Sequence, residues 1–119
     1  MKKLLSMALM LLVSVFITNI TMAQTAKKET LKVWGNCGMC KKKIEKAAKS
    51  AGATAASWDS ETQLLKISFD ESKTSNAKIQ ESIAKVGYDT QDFTADNEVY
   101  DNLPGCCQYD RKETAKAKP

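Results

Sequence analysis

The run Val33-Trp34-Gly35-Asn36-Cys37-Gly38-Met39-Cys40-Lys41-Lys42-Lys43-Ile44-Glu45 joins a strand-like segment to a helix-like one and sets two thiols at the join. Upstream, Glu29 to Trp34 alternates, with Leu31 and Val33 on one face and Lys32 and Trp34 on the other. That is the pattern of a half-buried strand, and it ends at Gly35. Downstream, Met39 to Ala51 takes a helical period. Ile44, Ala47, Ala48 and Ala51 form an apolar stripe, and Lys41, Lys42, Lys43, Lys46 and Lys49 lie largely outside it. Gly52 is the natural stop. A Cys-x-x-Cys spacing at a helix start lets both sulfurs converge on one ion, and the helix N-terminus favours the thiolate form that metals take.

Working outward, Ala53 to Asp59 and Leu64 to Phe69 flank the polar turn Ser60-Glu61-Thr62-Gln63 and read as a hairpin, with Leu65, Ile67 and Phe69 on one face. Ser75 to Val86 carries a second helical stripe at Ile79, Ile83 and Val86, opens on Ser75 or Asn76 as a cap, and stops at Gly87. Tyr88 to Thr94, carrying Phe93, is a weak last strand. The order β-α-β-β-α-β predicts an α+β ferredoxin-like sandwich: a four-stranded antiparallel sheet with two helices on one face. The fold alone implies no function. Its geometry does bring the loop after the first strand beside the loop before the last, so Gly87 and Tyr88 are expected near Cys37 and Cys40.

The first residues bound the setting. Met1-Lys2-Lys3, an apolar stretch from Leu4 to Ile20, and Thr21-Met22-Ala23-Gln24 with small residues at the cleavage positions read as a signal peptide over residues 1–23. The alternative, a membrane anchor, is disfavoured by the shortness of the apolar run, so no stable insertion is expected after cleavage. What remains is one small domain. Cleavage removes two of the 18 basic residues, which stand against 14 acidic ones, so nothing resembles the basic stripe of a nucleic-acid binder. A periplasmic or otherwise exported location matters for the four cysteines, because an oxidising compartment favours disulfides, and an even count in a short exported chain is a disulfide signature. The spacing suits staples poorly. Cys37 with Cys40 closes a trivial loop, and Cys106 with Cys107 would form a strained ring.

Over roughly residues 29 to 94 the chain resembles the heavy-metal-associated domain family of copper chaperones, copper-ATPase metal-binding domains and periplasmic mercury-binding proteins. The resemblance rests on the strand-CxxC-helix unit, the Gly52-Ala53 step, the Asp59-Ser60-Glu61-Thr62 hairpin and Lys85-Val86-Gly87-Tyr88. It implies that Cys37 and Cys40 are metal ligands and that Gly38, Met39 and Tyr88 cover the site. One departure is visible. Family members usually carry Gly-Met-Thr or Gly-Met-His before the first cysteine, whereas here Trp34-Gly35-Asn36 stands there and Met39 lies between the cysteines.

Thiolates are soft ligands that suit Cu(I), and a low coordination number keeps the ion transferable to a partner's thiolate. The chain has no histidine, which excludes mixed Cys/His zinc sites and leaves an all-cysteine Zn(II) site open. The expectation is a non-enzymatic Cu(I) chaperone or scavenger that works with a copper-transporting membrane ATPase or efflux component, as a monomer or a metal-bridged dimer. Hg(II) binding is the nearest alternative. A thiol-disulfide oxidoreductase is a second, though the only prolines, Pro104 and Pro119, do not supply the residue expected opposite a thioredoxin-type pair.

Residues 95–119 form an extension carrying Cys106 and Cys107. At about 3.3 Å per residue, the stretch from Thr94 to Cys106 is long enough to recross a strand of roughly 20 Å. One reading has Val99, Tyr100 and Leu103 cover the sheet's open face at Trp34 and Leu64 and deliver Cys106 or Cys107 to the ion as an auxiliary ligand. A separate site, a disulfide or idle thiols are the others. The lysines of the first helix read as a solvated face, with docking of an acidic partner or offset of site charge as the alternative. Trp58 is core or hairpin surface, and the polar stretch from Arg111 to Pro119 is expected to be loose.

Overall fold

The computed structural model describes residues 26–116; the expected signal peptide and the last three residues lie outside them. Strand β1 (Ala26–Lys32) leads through the cysteine loop into helix α1 (Gly38–Ser50). Strands β2 (Ala53–Trp58) and β3 (Leu64–Asp70) form the hairpin, and helix α2 (Asn76–Lys85) follows. These elements lie within a few residues of the bounds read from the sequence. No helix among the described residues is long and apolar enough to cross a membrane.

The sheet has the order β1-β3-β2, antiparallel throughout, with Leu31 opposite Leu65 and Trp58 on the other side of Leu65. Alternation turns Leu31, Leu65, Ile67 and Phe69 inward. On β2 the buried residues are Ala53 and Trp58, an odd spacing that alternation forbids. A register shift between Ala53 and Ala55 restores it by inserting one residue. Against these side chains α1 packs Cys40, Ile44, Ala47 and Ala48, and α2 packs Ile79, Ile83 and Ala84. Each fully buried Leu or Ile contributes about 1.5–3 kcal/mol. Ser75 caps α2 by accepting a hydrogen bond from the Lys78 N–H at 3.2 Å.

The expected fourth strand is not formed. From Tyr88 to Thr94 the chain makes a single bridge, Val33 to Thr90, flanked by Trp34 N–H to Asp89 O (2.9 Å) and Gln91 N–H to Lys32 O (3.0 Å). The cause is a turn. Thr90 N–H donates to Phe93 O at 2.9 Å, and the buried Gln80 Oε1 accepts from both Thr90 Oγ1 (2.8 Å) and Asp92 N–H (3.0 Å). Gln91 Oε1 takes the Lys32 N–H at 3.0 Å, in place of a strand carbonyl. With the segment turned away so early, the sheet among the described residues has three strands.

That turn also shortens the path home for the extension. Helix α3 (Asn97–Asp101) leads to a 3-10 turn at Gly105–Cys107, and the chain then runs back past Asp89 to Phe93 before helix α4 (Glu113–Lys116). Leu103 lies on Gly87, whose φ of +108° calls for glycine and where a Cβ would stand a tight 3.2 Å from the Leu103 side chain. Tyr100 packs edge-on to Tyr109, with ring centroids 5.0 Å apart. The expectation that Val99, Tyr100 and Leu103 cover Trp34 and Leu64 is corrected at Leu64, which remains 38% exposed: Leu103 packs on Gly87 and Tyr100 on Tyr109, and the extension meets the Trp34 ring through Lys112 Nζ, 6.0 Å from its centroid. The expected looseness from Arg111 to Pro119 is corrected at Arg111 and Lys112, and its last three residues lie outside the described ones. Arg111 donates to both carboxylate oxygens of the fully buried Asp89, at 3.0 and 2.7 Å. Lys112 donates to Thr90 O and Phe93 O at 2.7 and 2.8 Å.

Candidate metal centre

The cysteine loop is held from three sides. Trp58, in the core, donates its Nε1–H to Val33 O at 2.9 Å, and its ring lies so close to Gly35 that a Cβ there would stand 2.8 Å away. Gln63 donates to Gly35 O at 2.7 Å. Trp34 N–H is taken by Asp89 O, as above. A loop without a methionine ahead of its first cysteine is thus steadied by an indole and an amide from the hairpin.

Cys37 is the N-cap residue of α1, in extended conformation, and its carbonyl accepts the Lys41 N–H at 3.0 Å. One turn of helix brings Cys40 round to the same side, so the two sulfurs stand 3.8 Å apart. Their environments differ. No side-chain cap bond closes the helix start, yet the N–H groups of Cys40 and then Met39 lie close enough to the half-exposed Cys37 sulfur to bring its thiol down to about 7. Burial raises the Cys40 thiol instead. The pair therefore offers one ready thiolate and one protected thiol.

The extension completes the group. The sulfurs of Cys37, Cys40 and Cys107 all lie within 4.8 Å of one another. Cys107 is buried, and burial raises its thiol too. The adjacent Cys106 is exposed and outside this triad, 3.9 Å from the Cys107 sulfur and 4.0 Å from Met39 Sδ. The backbone explains the division. Cys106 O accepts from Asn36 Nδ2–H at 3.2 Å and from the Cys37 thiol at 3.3 Å, which fixes this turn against the cysteine loop and sends successive side chains to opposite sides.

Tyr88 lies against the inner thiols. Its hydroxyl is fully buried and finds no hydrogen-bond partner among the described residues, and burial, then the neighbouring Cys40 and Cys107 thiols, hold it protonated. A protonated phenol aimed at buried thiols is a donor awaiting an anion, which suits a thiolate set. Tyr109 stacks on Tyr88 at 5.5 Å and bridges Gly87 O and Asp89 N–H through its hydroxyl, at 2.7 Å each. Gly38, expected in the cover, has open space around it, and Met39 is 48% exposed. Lys41, a candidate for offsetting site charge, is engaged elsewhere, by Glu45 at 2.5 Å and Trp58 O at 3.0 Å.

Of the residues the sequence singles out, the structure brings Cys37, Cys40, Cys107 and Tyr88 together and leaves Cys106 at the edge. Sequence reasoning missed Trp58, Gln63, Asn36, Tyr109 and Arg111 as the residues that hold the site. The one available signal was Tyr109 and Arg111, an aromatic and a cation shortly after Cys107, in a stretch otherwise read as tail.

With metal–sulfur bonds of about 2.3 Å, the value for zinc, two sulfurs opposed on a linear ion stand about 4.6 Å apart and three around a trigonal ion about 4.0 Å. The 3.8 Å between Cys37 and Cys40 sits nearer the second, and Cys107 sets a third sulfur within 4.8 Å of both.

A family model, the heavy-metal-associated domain, matches residues 36–89. Among solved structures, the chain is similar to the CopZ metallochaperone (32% identity, covering 54% of this chain and 98% of that one, TM-score 0.52). It is also similar to oxidized MerP from Ralstonia metallidurans CH34 (29% identity, 56% and 96% coverage, TM-score 0.53). The water-soluble region of the P-type ATPase CopA from Bacillus subtilis matches at 34% identity over 58% of this chain and 47% of that one, with a TM-score of 0.53. No curated protein matches the chain in sequence.

Proposed function

The chain belongs to the heavy-metal-associated domain family, and from that premise we propose that it is an exported chaperone or scavenger of a soft metal ion, Cu(I) first, held by Cys37, Cys40 and Cys107. The observation that carries this reading is the convergence of three sulfurs, two of them buried, beside a buried phenol without a partner. Three thiolates suit a soft monovalent ion, and the half-exposed Cys37 is the one an acceptor's thiolate can reach. Exchange then proceeds sulfur by sulfur without release of free ion. The third ligand shifts the balance from fast delivery toward retention.

Residues 29–94 form the binding domain in this reading, 95–119 an extension that supplies the third ligand, and residues 1–23 the export signal. The likeness to CopZ and to the soluble region of CopA supports a copper-transporting membrane ATPase or efflux component as partner. The likeness to MerP supports Hg(II) as the second cargo to test, and an all-cysteine Zn(II) site is the third. Thiol-disulfide exchange is the reading from another class. It predicts turnover of an insulin-type disulfide substrate, and the binding reading predicts none.

The test is an anaerobic Cu(I) titration of the reduced protein against a competing chelator. Wild type should bind one ion tightly, Cys37→Ser with Cys40→Ser should abolish binding, and Cys107→Ser should weaken it by about tenfold or more, the scale of one lost ligand bond at 1.4 kcal/mol per decade. Wild type that fails to compete, or a Cys107→Ser protein that binds like wild type, sinks the three-thiolate site. Parallel titrations with Hg(II) and Zn(II) rank the cargoes.

A further inference from the structure

The described sulfurs do not end at the triad. From Met39 Sδ to Cys106 Sγ is 4.0 Å, from Cys106 Sγ to Cys107 Sγ is 3.9 Å, and Cys107 lies within 4.8 Å of both Cys37 and Cys40. The outer two sulfurs are exposed and the inner ones are buried, apart from the half-exposed Cys37. Met39 is 48% exposed, Cys106 is exposed, and Cys107 and Cys40 are at 0%. We propose that Met39 and Cys106 form an outer two-sulfur port through which Cu(I) is taken up and passed to the triad of Cys37, Cys40 and Cys107; this deepens the reading above and rests on it.

Three features of the geometry argue for a port rather than a fourth resting ligand. The Cys106 sulfur stands outside the cluster that the other three make. The carbonyl of Cys106 is fixed by Asn36 and Cys37, which keeps its side chain directed outward while Cys107 faces in. Its neighbour is a thioether, a neutral and weak ligand that holds soft ions loosely and so releases them. The two outer gaps, Met39 to Cys106 at 4.0 Å and Cys106 to Cys107 at 3.9 Å, are short enough for one ion to touch both sulfurs at once, since two bonds of about 2.3 Å span up to about 4.6 Å.

The exchange balances without any change of oxidation state. An arriving Cu(I) gains a bond to the Cys106 sulfur, whose proton leaves to water, and a bond to Met39 Sδ, which has no proton to lose. The donor's ligand then departs. The Cys107 sulfur next bonds the ion as its own proton leaves, the bonds to Met39 and Cys106 break, and Cys106 takes a proton back from water. Cys37 and Cys40 close on the ion last, each giving its thiol proton to water as its sulfur bonds the ion. Such a port is occupied between the end states and not in them, so it alters rates and leaves the equilibrium where it was.

The measurement is stopped-flow transfer of Cu(I) from its bicinchoninate complex to the reduced protein, read from the loss of the complex's colour. Affinity is obtained by competition with the same chelator, and copper coordination by X-ray absorption. Wild type, Met39→Leu with Cys106→Ser, and Cys107→Ser are compared; both port residues are exposed, and Cys106→Ala controls for the serine oxygen. The port double variant should take up and release copper about tenfold more slowly, with affinity changed by less than about twofold and with unchanged coordination. Cys107→Ser should lose affinity. Uptake as fast as wild type in the double variant overturns the port. So does an affinity loss matching that of Cys107→Ser, which would make Cys106 a resting ligand. A wild type that takes up no Cu(I) removes the soft-metal reading and the port with it, and so is told apart from both.

Discussion

The two cysteine pairs reach the same site by different physics. Cys37 and Cys40 converge because they sit one helical turn apart at the head of α1, a local property of the backbone that any chain with this spacing at a helix start would share. Cys106 and Cys107 are adjacent, so their side chains diverge, and only one of them joins the cluster. What decides which one is a set of distant contacts: Leu103 on Gly87, Tyr109 on Tyr88, Arg111 on Asp89 and Asn36 on Cys106 O. The first pair is positioned by secondary structure and the second by tertiary structure. The two should therefore separate cleanly under mutation.

The largest break is expected at Arg111. Replacing it with alanine leaves the Asp89 carboxylate buried without its partner, a loss of about 3–5 kcal/mol in a two-state urea unfolding measurement. Short of unfolding, the extension should detach, and Cys107 should become open to alkylation while Cys37 and Cys40 keep their 3.8 Å spacing. Retention of a protected Cys107 would show that the clamp is not what holds the second pair. Tyr109→Phe is a gentler version. It keeps both ring contacts and removes the hydroxyl that bridges Gly87 O and Asp89 N–H, at about 1–3 kcal/mol for a buried amide left unpaired.

Smaller effects sharpen the comparison inside the first pair. With its thiol near 7, Cys37 is protonated and unreactive in acid and becomes a thiolate as the pH rises through 7. Its alkylation by iodoacetamide in the metal-free protein, followed by mass spectrometry, should rise through that pH and then level. Cys40 and Cys107, raised by burial, should remain unmodified there. The preference for Cys37 over those two at pH 7 should be at least about fivefold, since its larger thiolate fraction is partly offset by lower intrinsic nucleophilicity. Equal rates would mean the helix start does not tune the pair. Tyr88→Phe should matter least for the empty protein. Its hydroxyl meets only the weakly accepting thiols of Cys40 and Cys107, so removing it should shift the unfolding free energy by less than about 1 kcal/mol. The same change should weaken Cu(I) binding if the phenol donates to a ligand thiolate.

These contrasts explain what could be read in advance. The bounds of β1, α1, the hairpin and α2 follow from periodicities of two and of 3.6 along Leu31 to Val33, Ile44 to Ala48, Leu65 to Phe69 and Ile79 to Ile83, and burial in the structure follows the same residues. The CxxC pair was legible for the same reason, being local. The fourth strand was misread because Tyr88 to Thr94 has strand-like residues, while the group that turns the chain is Gln80, a full helix away in sequence, accepting from Thr90 and Asp92. Periodicity carries no record of a side chain that replaces a ladder. The anchoring of Arg111 and Lys112 was illegible in the same sense: two cations in a lysine-rich tail look solvated until the Asp89 carboxylate and the turn carbonyls are placed beside them.

The early turn at Thr90 has a further consequence at the sheet's margin. Among the described residues, β1 borders β3 on one side only, and β2 lies at the other border. The β2 flank, and the β1 flank ahead of Lys32, whose own amide and carbonyl are held by Gln91, thus present backbone groups to which a strand of another molecule can add, the usual route to edge-to-edge aggregation. On β1 this flank carries lysines at 27, 28 and 32, and Lys27 is fastened across to Glu29 and Glu71. Charge along a border strand guards a sheet that has given up its last strand, and it is the reason a concentrated solution of this protein should stay dispersed at low salt and lose that protection as salt screens the lysines.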